Sequence, residues 1–515
     1  MNKKSRTQYA VKNVSIAGIG QVLYLLLSFA SRTVFVKMLG NDYLSCEGLF
    51  TNILTILSFS DLGIGGAIVY SLYKPIAEND YLQIGKLMNL LSTAYRYIAC
   101  FIAVVGICVV PFLKYIISDV PDVRESIPVL YCLFLTNIVM SYLWGYSRSL
   151  LVATQENYIV LMIQQGVHIC QIVIQITLLI LTHNYILYLL TAIGCTFTTN
   201  IISTWIAYHK YPWLKQYQQY KLSAIERKPI FSNIMSIMYY KLGSVILNGT
   251  NNIIISICLK TSLVGLCSNY SMIINAITTI IRQVGGGLQA TIGNHNALSS
   301  AESRYQIFKQ LYFISFWLLG FCSISLTVLL NPFIEDVWLG KAYSLPNHVV
   351  LMLVLSFYIN LINIIPSTYR ITLGYFKEAK WCPLLAAILN VILSILGAQM
   401  IGLSGVFLAE AISRLLTFNI IDAYYVFKKG FQCSIFVYYK QFFIYFLILC
   451  VNYFLTYFCT QLITLDNIMG FCLKALITCI VSNAFFILVF ARTSLFQEAT
   501  HRILKFVYKK SRGTL

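Results

Sequence analysis

Long apolar runs separated by short polar segments form the dominant pattern of this sequence. Between Val14 and Tyr73, two apolar runs flank the polar turn LGNDYLSCEG. Each run is long enough to cross a hydrocarbon core of about 30 Å at about 1.5 Å per helical residue. The same pattern recurs along the chain and predicts about fourteen transmembrane helices. We place these spans near 14–38, 44–70, 87–113, 127–151, 157–181, 185–208, 232–258, 264–289, 306–330, 347–371, 381–401, 403–427, 439–462 and 468–491.

The composition agrees with this pattern. Hydrophobic residues make up 58% of the chain and charged residues only 11%, whereas soluble domains carry about 25% charged residues. The strands of a membrane β-barrel would alternate over about 10 residues, but these runs are continuous. The sequence therefore predicts an all-α polytopic membrane protein. Its 15 cysteines include no CxxC pair, so we expect no disulfide framework, no metal site and no cofactor.

The basic residues indicate an orientation for these helices. An even number of spans places both termini on the same side of the membrane, and the positive-inside rule favours the cytoplasm. With that orientation, only five of the 37 Lys and Arg residues fall in outside loops, namely Lys37, Lys114, Arg124, Lys260 and Lys341. The net charge of +19 is explained by cytoplasmic loops, so we expect no nucleic-acid partner.

The loop positions also suggest a division into lobes. The longest basic loop, 210–231, falls between the sixth and seventh spans. We predict an N-terminal lobe over 1–209, a C-terminal lobe over 232–430, and an additional region over 431–515 that contains spans 13 and 14 and a basic cytoplasmic tail. Two repeats of six helices around a central cavity are a known plan for transporters.

Polar residues form stripes along several of the apolar helices. In span 5, Gln164, His168, Gln171 and Gln175 recur at the spacing of one helix face. Such side chains either hold membrane helices together or line a water-filled cavity. Stripes in spans 3, 4, 7, 8 and 10 contain Asn89, Arg96, Asn137, Arg148, Lys241, Asn248, Asn252, Asn275, Arg282, Asn360, Asn363 and Arg370.

The sign of the buried charge favours an anionic substrate. An ionisable residue within a membrane helix is a candidate functional residue, and an Arg guanidinium binds phosphate oxygens in a bidentate manner. Glu410 and Arg414 are one helical turn apart, and we expect them to pair. The candidate substrate-binding residues are Arg32, Arg96, Lys241, Asn248, Asn252, Asn275, Arg282, Asn360, Asn363 and Arg370.

Two further residues are candidates for ion coupling. Asp61 lies in an apolar run beside Gly63, where it either carries a coupling proton or stabilises a kink. His168 either relays protons or makes a hydrogen bond to a neighbouring Gln. The chain contains no phosphate-binding loop, no GxSxG and no HExxH motif, so we do not expect an enzyme.

The first hairpin resembles bacterial polysaccharide flippases of the O-antigen and capsule type. These proteins belong to the multidrug/oligosaccharidyl-lipid/polysaccharide exporter superfamily. The motifs that carry the resemblance are Ser31-Arg32, Leu39-Gly40, Asp61-Leu62-Gly63 and Lys74-Pro75.

The resemblance implies two six-helix lobes that work by alternating access in the bacterial inner membrane. The implied cargo is a polyprenyl-diphosphate-linked oligosaccharide for lipopolysaccharide or capsule synthesis, and the implied partners are membrane lipids and a glycan polymerase. In this family basic residues meet the diphosphate, a role that transfers to Arg32 and to Lys241, Arg96 and Arg282.

Two alternative functions remain open at this stage. A multidrug/toxin antiporter of the same superfamily transports mostly cationic substrates and depends on acidic residues in its cavity. A membrane-embedded glycan polymerase or acyltransferase belongs to a different class. Polymerases expose a large outside loop, whereas the longest one predicted here runs only from Asn331 to Pro346.

Overall fold

We describe the protein from a computed structural model, which covers residues 26–58, 64–119, 121–154, 156–223, 226–227, 238, 241–375 and 378–498. All regular secondary structure in these ranges is helical, and they contain no strand. Inside hydrocarbon the backbone cannot bond to water, so a long apolar run satisfies its N–H and C=O groups by forming a helix. The predicted all-α class is confirmed.

The chain divides into two compact units, Met1–Ser268 and Asn269–Leu515. The helices that begin in the first unit are α1 (26–39), α2 (Asn41–Leu57), α3 (Ile64–Glu78), α4 (Tyr81–Val109), α5 (Leu113–Ile116), α6 (Ile127–Tyr142), α7 (Ser147–Ala153), α8 (Asn157–Thr182), α9 (Tyr185–Lys210), α10 (Leu214–Tyr217), α11 (241–249), α12 (Asn251–Cys258) and α13 (Ser262–Leu298). The division falls within α13, so α11, α12 and the beginning of α13 are part of the first unit.

The second unit continues from α13. Its helices are α14 (Ala301–Pro332), α15 (Asn347–Ile362), α16 (Ile364–Thr372), α17 (Cys382–Ile401), α18 (Leu403–Arg414), α19 (Ile420–Tyr424), α20 (Ile435–Gln461), α21 (Ile468–Phe490) and α22 (494–498). Turns of π-helix cover Phe333–Trp338, Leu415–Asn419 and Tyr425–Gly430.

Many of these helices are long and apolar enough to cross a membrane. Within the described residues there are 10 such spans, or 11 if α6 and α7, which meet at a bend of 49°, form one broken span. The predicted spans 1, 2 and 7 extend into residues outside the described ranges. The protein is therefore a multi-pass membrane protein.

One span is interrupted near its middle. Helix α15 ends at Ile362 and α16 begins at Ile364. Pro366 has no N–H to donate to the carbonyl of Ile362, four residues earlier, so the regular ladder breaks at Asn363. The interruption therefore lies within one turn of Pro366.

Helices α17 and α18 approach each other closely because two glycines meet. A Cβ atom added to Gly405 would lie 2.0 Å from the carbonyl oxygen of Gly397, a separation that no side chain tolerates. Small residues allow membrane helices to pack backbone against backbone. Elsewhere in the second unit, α20 packs on α14 through stacked Phe316 and Tyr445 rings, whose centroids are 4.2 Å apart.

One end of the first unit is closed by polar contacts, which we call the loop cluster. It joins residues 117–119 and 121–126 and the start of α2 to the turn between α12 and α13. The Asn41 side chain donates to the Ser262 carbonyl at 2.8 Å, and the Ser256 hydroxyl donates to the Ile116 carbonyl at 2.7 Å. The Asp119 carboxylate accepts hydrogen bonds from the backbone N–H groups of Thr261 and Ser262.

The segment after α9, residues 211–223, is packed against the beginning of α4. Leu214 and Leu222 are buried there in an apolar cluster. A Cβ atom on Gly85 would lie 2.5 Å from the Tyr217 backbone, so glycine allows this close approach. The Asn89 side chain donates to the Gln218 carbonyl at 2.7 Å, and the segment is therefore docked along its length.

Candidate functional site

Two arginines converge on a single amide in the second unit. Arg282 on α13 and Arg414 on α18 each donate to Oδ1 of Asn360 on α15, both at 3.1 Å. Arg414 also donates to one oxygen of Glu410 through Nη2 at 2.9 Å and Nε at 3.2 Å. The predicted pairing of Glu410 with Arg414 is confirmed. We call these four residues the Asn360 cluster.

The four side chains of the Asn360 cluster include two guanidinium groups and one carboxylate, and Arg414 contacts that carboxylate directly. Arg414 is buried, Asn360 and Glu410 are half-buried, and Arg282 is exposed on the surface of its unit. Guanidinium groups bind phosphate and carboxylate oxygens through paired, charge-assisted hydrogen bonds. The arrangement is chemically suited to an anionic group that approaches from the side of Arg282.

Two further candidates in this unit, Arg370 and Asn363, both bind the buried carboxylate of Asp422. Arg370 on α16 donates through Nε to Asp422 on α19 at 2.5 Å, and its Nη1 donates to the Tyr375 carbonyl at 3.0 Å. Asn363 donates to the second oxygen of Asp422 at 2.7 Å. Arg370 is 3% exposed and Asp422 is 0% exposed. In this arrangement both predicted residues hold α16 against α19.

In the first unit the candidate bases lie on three different helices: Arg32 on α1, Arg96 on α4 and Lys241 on α11. Arg32 on α1 lies 3.6 Å from Glu47 on α2, measured from Nη1 to Oε2. Arg96 on α4 is exposed and donates to the Ser92 hydroxyl at 3.3 Å. Lys241, at the described start of α11, is also exposed.

The remaining amide candidates have mixed environments. Asn248 is exposed and donates to the Ser244 carbonyl one turn earlier at 2.6 Å. Asn252 is half-buried and donates to the Gly48 carbonyl at 3.4 Å, so it connects α12 to α2. Asn275 lies exposed on α13.

The candidates for ion coupling are only partly described. Asp61 lies outside the described residues. His168 is exposed on α8. In the same stripe, Gln175 donates to the Tyr188 carbonyl on α9 at 3.0 Å, so this member holds two helices together. Among the described residues no group of three or more His, Cys, Asp or Glu side chains is placed to hold a metal ion.

Two acidic residues of interest were not among the sequence candidates. Glu47 was placed in a polar turn, but α2 begins at Asn41, directly after Gly40 with φ of 86°, so Glu47 lies within the helix. The glycine that ends α1 was the available signal, because a positive φ is typical of a helix C-terminus. Asp422 lies in the apolar segment NIIDAYYVF, and its sequence signal was a lone acid among apolar residues.

Comparison with known proteins identifies the fold but not a close relative. No protein-family model matches the chain, and no curated protein matches it. The solved lipid II flippase MurJ, in an inward closed conformation, is similar with a TM-score of 0.64 at 15% identity, over 92% of this chain and 98% of that one.

Multidrug transporters have the same architecture. An inward-facing MATE family transporter of the MOP superfamily is similar with a TM-score of 0.63 at 12% identity, over 78% of this chain and 93% of that one. The Vibrio cholerae MATE transporter VcmN in its bent form gives 0.53 at 14% identity, over 83% and 98%. The chain shares its fold with these transporters and flippases, none of which is named as an enzyme.

Proposed function

We propose that the protein is a flippase that moves a polyprenyl-diphosphate-linked oligosaccharide repeat unit across the bacterial inner membrane by alternating access, for surface polysaccharide synthesis. The shared fold with MurJ, which is named as a lipid II flippase, supports this proposal over nearly the whole chain. The proposed orientation places both termini in the cytoplasm. A glycan polymerase of the same pathway is the proposed recipient of the cargo.

The observation that carries the proposal is the Asn360 cluster. Ionisable side chains among membrane helices are costly and are candidate functional residues. A diphosphate carries the charge opposite to that of a guanidinium group and accepts several hydrogen bonds at once. Exposed amides such as Asn248 and Asn275 offer donors and acceptors that match sugar hydroxyls.

The test is transport in reconstituted liposomes with a fluorescent undecaprenyl-diphosphate-linked oligosaccharide. We expect Arg282→Ala to lower the initial flipping rate by at least about tenfold, because a charge-assisted hydrogen bond contributes about 1.5–3 kcal/mol. Arg492→Ala is the matched control, since Arg492 is also exposed but lies beyond α21, and its rate should equal that of the wild type. Equal rates in both variants would remove Arg282 from the site.

A multidrug antiporter is the second candidate, favoured by the TM-score of 0.63 with a MATE family transporter. The same liposomes distinguish the two functions. Proton- or sodium-driven uptake of a cationic dye, without movement of the lipid-linked oligosaccharide, would establish the antiporter and overturn the flippase.

A further inference from the structure

Among the described residues, the Arg32–Glu47 pair differs from the other buried or half-buried ion pairs. Its closest atoms, Nη1 and Oε2, are 3.6 Å apart, which is too long for a hydrogen bond. Among the described residues, Nη1 of Arg32 is buried and has no hydrogen-bond partner. Arg414, by contrast, makes two hydrogen bonds to its carboxylate. No hydrogen bond therefore joins Nη1 of Arg32 to Glu47.

Both members of this pair are partly accessible. The exposed fraction is 20% for the Arg32 side chain and 30% for the Glu47 side chain. Ion pairs between accessible groups are weak, because water screens the attraction and two side chains must be ordered. A ligand that offers hydrogen bonds as well as charge can therefore replace Glu47 as the partner of Arg32.

A hydroxyl beside the pair is suited to receive Glu47 after such a replacement. Tyr185 is 0% exposed, and its hydroxyl has no hydrogen-bond partner among the described residues. Tyr185 contacts both helices that carry the pair, because Phe35 lies one turn after Arg32 on α1 and Tyr43 lies one turn before Glu47 on α2. The ring is fixed by edge contacts to Phe35 and Tyr43, with centroid distances of 5.6 and 5.0 Å. A buried donor without an acceptor is costly, so an acceptor is expected in another state.

We propose that Glu47 is an internal counter-ion that occupies Arg32 while cargo is absent and is displaced by the cargo diphosphate. This inference rests on the proposed flippase function and names a residue that regulates its binding step. In the loaded state the phosphate oxygens accept hydrogen bonds from Arg32, and Glu47 accepts one from the Tyr185 hydroxyl. Each charge keeps a partner in both states, so neither is left buried and unpaired.

The test measures equilibrium binding of undecaprenyl diphosphate to the purified full-length chain in lipid nanodiscs. Because Glu47→Gln removes the competing charge, we expect the dissociation constant to fall by about three- to tenfold. Arg32→Ala should raise it by at least about tenfold. Glu78→Gln is the matched control: Glu78 forms an exposed pair with Lys74 at 3.8 Å, and its loss should leave binding unchanged.

A tyrosine variant tests the receiving hydroxyl. Tyr185→Phe should weaken binding by about two- to fivefold, since the displaced carboxylate then lacks its donor. In the Glu47→Gln background the same change should have no effect, and this coupling would not arise from a general loss of structure.

The outcomes separate the two proposals. A wild-type chain that fails to bind undecaprenyl diphosphate overturns the flippase function itself. Wild-type binding that is unchanged or weakened in Glu47→Gln overturns the counter-ion exchange and leaves the flippase function intact. Tighter binding in Glu47→Gln supports the exchange, because a structural defect would not raise the affinity.

Discussion

Among single residues, the pair of Arg370 and Asp422 shows how a charge buried within the helices is compensated. Removing two charges from water is expensive, and only close geometry with further hydrogen bonds offsets the cost. Asp422 accepts bonds on both oxygens, from Arg370 and from Asn363. Arg370 makes a second bond to the Tyr375 carbonyl. The pair thus fixes α16 to α19 beside the interruption at Asn363.

Replacing one charged residue of this pair should destabilise the protein more than replacing both residues. We expect Arg370→Met to lower the free energy of unfolding by about 3–5 kcal/mol, because Asp422 then stays buried without a counter-charge. The double variant Arg370→Met with Asp422→Leu should recover most of that loss. Thermal unfolding in detergent micelles measures the stability of the single and the double variant. A double variant as unstable as the single one would contradict this account.

Sequence spacing predicted some of these pairs and not others. Glu410 and Arg414 are four residues apart on one helix, and local geometry alone brings them together. Arg370 and Asp422 are separated by 52 positions, so their contact depends on how distant helices pack. The contact between Arg32 and Glu47 likewise depends on how α1 packs against α2, which spacing along the sequence does not predict.

At the scale of elements, the loop cluster connects the beginning of α13 to the loop after α5. The first N–H groups of a helix lack partners within it, and its N-terminus carries a partial positive charge. The Asp119 carboxylate accepts from these groups at Thr261 and Ser262. The sequence predicted both loops on the same side of the membrane, but it gave no sign that Asp119 joins them.

The cap formed by Asp119 should depend on pH in a defined direction. Burial alone would raise the pKa of Asp119, but hydrogen bonds, chiefly from the Thr261 backbone, outweigh it and hold the pKa below its usual value, which is about 3.9. A group with a depressed folded-state pKa stabilises the fold above its unfolded pKa. That stabilisation is lost as the pH falls through the lower folded-state value.

Hydrogen exchange can measure this dependence. We expect the amides of Thr261 and Ser262 to be fully protected above about pH 4 and to lose protection as the pH falls below that value, after correction for intrinsic exchange rates. Asp119→Asn should show weaker protection at every pH and no such transition. Equal pH profiles for the two proteins would rule out the carboxylate as the cause.

At the scale of the whole molecule, residues 211–223, which follow α9, are docked on α4 rather than solvated. Its basic composition predicted a cytoplasmic loop, but composition could not show that Leu214 and Leu222 are buried. Glu226 forms an ion pair with Lys86 at 3.2 Å. Hydrogen bonds from Ser223, and next from Lys86, lower the pKa of Glu226 to about 2, so the carboxylate stays charged at neutral pH.

Trypsin cleavage at Lys215 and Lys221 reports on this docking, because both side chains are exposed but their backbone belongs to the docked segment. We expect Asn89→Ala, which removes the bond to the Gln218 carbonyl, to speed cleavage there by about three- to tenfold. A lost hydrogen bond of about 1 kcal/mol raises the undocked population to that extent, and cleavage follows this population when undocking is fast.

Asn184→Ala is the matched control, since Asn184 caps α9 at its opposite end and should leave the rate of cleavage at Lys215 and Lys221 unchanged. If Asn89→Ala did not accelerate cleavage, this hydrogen bond would not be what holds the segment, and Leu222→Ala, which removes a buried side chain from its apolar cluster, would then be the variant that releases it.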